Sequence, residues 1–345
     1  MEEDFEGHQV HNVLSNVSES MQQSAPEFEY YRELHQNRHR IAEFTAENDS
    51  TDFRRKAWDL DKWKFVPMVG RALERAAEGV DAKWIMFIED DSFLVWSNLL
   101  QWVTQLDSSE SRFFGLPVAM HDQLFAYGGA GWLLSRTAAE QMMRHVASRE
   151  DSYESFTDNS AFGDLILGHV LEQAGVALTG AWPLIQRETP STMEYTADVM
   201  CCPVVTFHHI DAAEIGATWD LEQEWLVAGD DTGVQRLPLL HFDIFDRLVY
   251  PLLSGKVEDW DNFSDGEEKA LASEEGFETC RRYCEEDVRC VQFRLTLRKC
   301  TMSHSITLGW KEAPSMSSTS GWMMDRINWI RDTIRCEGDY WSLKG

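Results

Sequence analysis

The chain has 345 residues, 43% of them apolar, with a formal net charge of −28. That size and composition suit one large domain, or two unequal ones, around a real core. The charge argues against nucleic acid and against anionic membrane surfaces, both of which are bound through clustered Lys and Arg.

The first residues, Met1-Glu2-Glu3-Asp4, lack the basic start and apolar stretch of a signal peptide. No run of eighteen apolar residues follows anywhere. Residues 1–54 are polar and acidic. Val10, Val13, Leu14 and Val17 are spaced for one short amphipathic helix. Tyr30, Tyr31 and Leu34 are the packing points of a charged stretch at 27–40, and no first strand is evident. A helical pattern occupies 67–76.

The apolar run 84–88 reads as a strand buried on both faces, in the middle of an α/β sheet. It ends in Glu89, Asp90 and Asp91. Adjacent carboxylates repel one another unless solvent or a cation screens them. Open α/β sheets bind ligands at the carboxyl ends of their strands, where such a triplet suits a hard divalent metal. Taken alone, such a triplet is more often an ordinary solvated turn. A helix is expected at 95–106, with Leu99, Leu100, Trp102, Val103 and Leu106 on its apolar stripe. Strands are expected at 113–118 and 124–127.

Gly128, Gly129 and Gly131 open the segment 128–135. Such glycines permit close approach of backbone to a ligand, or a tight turn. Their spacing matches neither common phosphate loop. A helix follows at 137–146 and another at 162–174. In the latter, Asp164 falls near the N-terminus, where a carboxylate is favoured as a cap. The β-rich run 204–211 carries His208 and His209. In a strand these point to opposite faces, so at most one is expected to face a given site.

Composition shifts at 259–266, a linker pattern. Beyond it, Cys280, Cys284, Cys290 and Cys300 crowd together among seven cysteines in all. There is no Cys-x2-Cys spacing, which puts disulfides ahead of zinc and implies an oxidising compartment. A strand at 291–295 and a helix at 323–334 complete the pattern. Asn16, Asn48 and Asn262 begin glycosylation tripeptides. The fourteen tryptophans can supply core area or sugar-stacking platforms.

In order, Glu89-Asp90-Asp91, the segment 128–135, the segment 163–168 and the run 206–211 resemble the fringe and core-1 β1,3-galactosyltransferase group, glycosyltransferase family 31. The residues 61–65, 95–99 and 181–183 are similar to its fungal fringe-like branch. The resemblance implies a Rossmann-like GT-A α/β fold over 55–262. It further implies inverting, metal-dependent transfer of galactose or N-acetylglucosamine from a UDP-sugar to a glycan or glycoprotein, with a β1,3 linkage. Asp91 then matches the last acid of the family's metal motif, with Glu89 at its first position and Asp90 between them. His208 matches a second metal ligand for Mn²⁺ or Mg²⁺, and Asp164 the catalytic base. Gly128, Gly129 and Gly131 match the loop lining the substrate cleft. Trp132 and Trp182 become candidates for stacking on acceptor sugars, with core packing as the other reading.

Residues 263–310 resemble a PAN/apple-like module, which implies bridges Cys280–Cys300 and Cys284–Cys290 and leaves 311–345 as a tail. Cys201-Cys202 matches a cysteine pair of core-1-like relatives. An odd cysteine count leaves one outside any bridge within the chain.

Two departures stand out. Phe162 and Leu165 occupy positions where relatives carry cysteines beside the catalytic acid. The sequence also begins as if after the family's membrane anchor and first nucleotide-binding strands, so 1–54 is expected to be a remnant of that half. Family members are Golgi-lumen proteins, attached to the membrane through the anchor this sequence lacks. A catalytically inactive fringe-like protein that binds carbohydrate or protein is the other expectation.

Overall fold

A computed structural model of the protein describes residues 3–5, 7–40, 43–44, 46, 50–77, 79, 81–120, 122–148, 150–228, 237–272, 276–313 and 318–341. It is mixed α/β. The chain forms two compact units. One comprises Met1–Phe87 and Asp107–Ala181, the other Ile88–Leu106 and Trp182–Gly345.

The first unit is built on a four-stranded sheet, in the order Trp84–Phe87, Trp132–Ser135, Phe113–Gly115, Leu178–Gly180. The last pair is parallel and the others antiparallel. The strand Trp84–Phe87 therefore lies at the edge among the described strands and is only half-buried, not doubly buried at the centre as expected. A short apolar run cannot report how many neighbours it will have. The fully buried strands of this sheet are Phe113–Gly115 and Trp132–Ser135, the latter masked by the preceding glycines as part of a turn. Helices Phe65–Ala77, Arg136–Ser148 and Gly163–Gln173 pack around a core that includes Phe65, Val69, Trp132, Leu134, Ile166 and Leu171. Gly168 lets the last helix close on Phe125, whose Cβ would stand 2.5 Å from a side chain at that position.

The N-terminal stretch is more organised than its polarity suggests. Helices Glu19–Ser24, Glu27–Gln36 and Thr51–Asp61 build a small core of Leu14, Phe28, Tyr30, Leu60 and Trp63. Burying Phe28 alone contributes roughly 1.5–3 kcal/mol. The segment 61–65 is explained here. Lys62 is buried and paired with Glu27 at 2.8 Å, and it donates to the Asp158 carbonyl at 3.2 Å. Trp63 is fully buried against Phe28.

The second unit is tied together by the segment 88–106. Strand Phe93–Leu94 pairs antiparallel with Thr206–Phe207. On helix Trp96–Thr104, the buried Asn98 amide donates to the carbonyls of Val204 and Leu239, each at 2.7 Å, and accepts from the Leu239 N–H at 2.9 Å. These long-range bonds are why 88–106 belongs with the second unit, so that 55–262 is shared between two units.

A five-stranded antiparallel sheet follows, in the order Val257–Glu258, Ser318–Trp322, Gln292–Thr296, Lys299–Ser303, Glu268–Ala270. It overruns the expected module 263–310 on both sides. Ser318–Trp322, expected in a tail, sits inside the sheet, because its small and aromatic residues fill a buried slot. Helix Met324–Thr333 continues from it, with Ile327 buried.

Cys280–Cys300 and Cys284–Cys290 staple helix Phe277–Glu286 to this sheet, the pairing that the resemblance implied. A third bridge joins Cys201 to Cys336, and Cys202 keeps its thiol. The third bridge spans 135 residues. By the chain-entropy model, loss of a loop that long costs on the order of 5 kcal/mol, against about 3 kcal/mol for the shorter loop closed by Cys280–Cys300. Cys201→Ser with Cys336→Ser is expected to lower the stability of this unit by that larger amount in urea unfolding. A change below about 1 kcal/mol would show that the bridge constrains little of the unfolded chain.

Asn262 is fully buried and its amide donates to the Phe293 carbonyl at 3.2 Å, so in the folded unit it is no glycosylation acceptor. Asn16 is exposed, and Asn48 lies outside the described residues. No helix among the described residues is long and apolar enough to cross a membrane.

Candidate active site

In the second unit, the chain leaving Phe87 enters a turn that presents Glu89, Asp90 and Asp91. The pairing of Phe93–Leu94 with Thr206–Phe207 then brings Asp91 to the histidines, and the Ile210 N–H donates to the Asp91 carbonyl at 3.1 Å. His208 Nε2 lies 3.3 Å from Asp91 Oδ1, and His209 Nδ1 lies 3.0 Å from Asp91 Oδ2. Asp91, His208 and His209 together form a group able to hold a metal ion.

Both histidines therefore face the same carboxylate, contrary to the strand expectation. The strand ends at Phe207, and His209 takes a left-handed backbone with φ 56°. Alternation of faces holds only along extended backbone. The two imidazole rings end 3.8 Å apart. The residue missed by sequence reasoning is thus His209. The signal that could have found it is the short β-run cut off by Ile210-Asp211 ahead of the helix Ala212–Ala228.

The donor set fits a divalent cation. Asp91 Oδ1 is buried and accepts no hydrogen bond, although His208 Nε2 stands beside it. Burial pushes the His208 imidazole below its ordinary pKa, against the pull of Asp91, and so favours the neutral form that binds metal. Glu89 is farther away, with Oε2 at 3.9 Å from His208 Nε2, and it lies outside the group. Asp90 is exposed on the turn.

In the first unit, Asp164 lies in the first turn of helix Gly163–Gln173, two residues past the cap position, which Phe162 holds. Its Oδ2 accepts the Gly128 N–H at 2.9 Å and its Oδ1 the Leu165 N–H at 2.8 Å. Desolvation is the main cause that raises its pKa, with the nearby Asp61 adding to it, despite these hydrogen bonds. The glycine segment is thereby joined to the carboxylate it was expected to accompany. Gly131, at φ 87°, closes the turn by donating to the Gly128 carbonyl at 2.8 Å. Gly129 lies within that turn.

A side chain at Gly163 would run into the Phe65 ring, and one at Gly128 would stand 3.3 Å from both Phe65 and the Asp164 Cβ. Phe162 packs edge-on against Trp58 at 5.4 Å. Aromatic packing thus braces this helix start where relatives are expected to use cysteines.

Trp132 is buried, stacked on Phe87 at 5.0 Å, so its ring is core and offers no face to a sugar. Trp182 is 53% exposed. The segment after it is held by His241, whose Nε2 donates to the Pro183 carbonyl at 2.9 Å. Full burial holds the His241 pKa down to about 4, so the ring stays neutral.

A fringe-like family model matches residues 35–197. The matched segment holds Glu89–Asp91, the glycine turn, Asp164 and Trp182. It starts earlier than the expected 55 and ends before His208 and His209. Two proteins named beta-1,3-glucosyltransferase are similar over 144 residues, at 28% identity in Mus musculus and 26% in Homo sapiens. The aligned region is 39% of this chain, and the chain spans 27% of the length of each of these relatives.

Proposed function

We propose that the protein is an inverting, metal-dependent glycosyltransferase of GT-A type. In this reading it moves a hexose from a UDP-sugar to a glycan or glycoprotein hydroxyl, with a β1,3 linkage. The observation that carries the proposal is the buried, unbonded Asp91 Oδ1 facing His208 Nε2, with His209 on the other carboxylate oxygen. The fringe-like match and the glucosyltransferase names of the relatives support the reaction class. Galactose, N-acetylglucosamine and glucose are the donors to be tried, the last also in keeping with the relatives' names.

Asp91, His208 and His209 would hold the cation, with Glu89 on the same turn at the family's first acid position. Imidazole donors favour Mn²⁺ over Mg²⁺. When bound, the ion supplies Lewis-acid neutralisation of the charge growing on the UDP diphosphate. Asp164 takes the proton of the acceptor hydroxyl on a carboxylate oxygen, and its raised pKa makes it the better base. The Gly128 N–H fixes the direction of that carboxylate.

The disulfides are consistent with a secretory lumen, and the Golgi is the compartment we propose. The stapled sheet is proposed to act as a PAN-like binding module.

The test is turnover of a panel of UDP-hexoses by protein stripped with chelator. Release of UDP is expected to be absent after stripping and restored by Mn²⁺. Equal turnover with and without metal would remove the proposal.

A further inference from the structure

We infer that the cleft between residues 187–194 and the strand Trp310–Lys311 is the seat of a neutral sugar ring of the acceptor. This deepens the transferase reading and rests on it for the word acceptor. The cleft lies wholly within the second unit and has a volume of about 750 Å³, within the range of small-molecule sites. His209, the outermost member of the metal group, is on its wall, so the cavity opens beside the proposed cation.

Three features define the ligand. First, Trp310 is 55% exposed, and the Phe263 ring meets it edge-on at 4.6 Å and 90°. A braced indole with an open face is a stacking surface for the C–H face of a pyranose.

Second, two carboxylates are fixed by one oxygen each. Asp211 Oδ1 accepts the N–H groups of Ala213 and Glu214, at 2.9 and 2.8 Å. Glu214 Oε1 accepts from the Ser191 N–H and the Thr189 hydroxyl, each at 3.2 Å. Among the described residues, Asp211 Oδ2 and Glu214 Oε2 take part in no such bond and are preorganised acceptors for ligand hydroxyls.

Third, the lining is net acidic. Glu188, Glu194, Asp211 and Glu214 face only Arg187 and Lys311 as cations, and Arg187 is already paired with Glu188 at 2.7 Å. That balance disfavours a diphosphate and suits an uncharged polyol.

The cleft is also built to hold its shape. The Gly309 N–H donates to the Ser191 carbonyl at 2.7 Å and so joins the two walls. Gly309 has φ 75°, and a Cβ there would run into the Asp261 carbonyl. The Trp260 indole N–H donates to the Leu308 carbonyl at 2.6 Å and anchors the neighbouring strand.

The probes are the methyl β-glycosides of glucose, galactose and N-acetylglucosamine. Binding to the whole protein is read by saturation-transfer NMR and by titration of the tryptophan fluorescence. At least one glycoside is expected to bind, and Trp310→Ala to weaken it by at least about tenfold. Trp310→Phe should recover part of that loss, and Trp219→Ala, at an exposed indole outside the cleft, should match the parent protein. Near-ultraviolet circular dichroism confirms that each variant is folded. Glycoside binding that is absent from the parent protein, or undiminished in folded Trp310→Ala, overturns the inference. Calorimetry with UDP and Mn²⁺ on the same samples separates the two ideas. Glycosides bound without UDP would remove the transferase reading and leave a sugar-binding cleft, whereas UDP bound without glycosides would remove the cleft.

Discussion

Asp91→Asn is expected to abolish tight Mn²⁺ binding and to cut UDP-hexose turnover by about 10³-fold or more, the several kcal/mol that charge neutralisation by a bound ion supplies. The amide keeps the size of the side chain but loses its charge. Its NH₂ would also put a donor where the cation needs an acceptor. The fold should survive, since the bond from the Ile210 N–H uses the Asp91 backbone carbonyl and not the carboxylate. Calorimetric titration with Mn²⁺ is the direct reading. An unchanged metal affinity in a folded Asp91→Asn protein would place the cation elsewhere.

The second large effect concerns the proton. Asp164→Asn is expected to lower turnover by roughly 10²–10⁴-fold while Mn²⁺ and UDP still bind. Asparagine can keep the Gly128 hydrogen bond through its carbonyl oxygen, so the loss reports the base and not the loop. The pH profile gives an independent check. Burial raises the Asp164 pKa, so the protonated, inactive form persists to higher pH than for an ordinary carboxylate. The acid limb of kcat/KM should therefore lie above the usual carboxylate range, with activity rising as pH climbs through it. If an acid limb in that place survives in Asp164→Asn, another group is the base.

Much of the secondary structure was legible because it is local. Apolar spacing located the helices Trp96–Thr104 and Gly163–Gln173 to within a few residues. The crowding of four cysteines announced the disulfides of the stapled sheet. What stayed hidden is non-local. The edge position of Trp84–Phe87 depends on its neighbours, and no pattern within the strand records that. The small core around Phe28 and Trp63 joins residues more than thirty apart in a segment whose polarity concealed it.

The site was readable as a set of residue types in order. Its one geometric surprise, His209, came from a single left-handed residue, and φ is not written in a period-two pattern. Trp132 shows the opposite limit, since an aromatic beside a glycine turn can be core or platform until its burial is known.

The strand Ser318–Trp322 has a consequence for biosynthesis. It lies between Val257–Glu258 and Gln292–Thr296, so the sheet has a vacant inner lane until residues 318–322 have been made. A chain emerging from its N-terminus can close Cys284–Cys290 and Cys280–Cys300 early, but it must hold the lane open until residue 322 arrives. Cys201 waits longer still for Cys336, beside a Cys202 thiol that can compete for the same partner. The sheet thus stays unfinished until synthesis passes residue 322, and the bridge from Cys201 to Cys336 closes only after that.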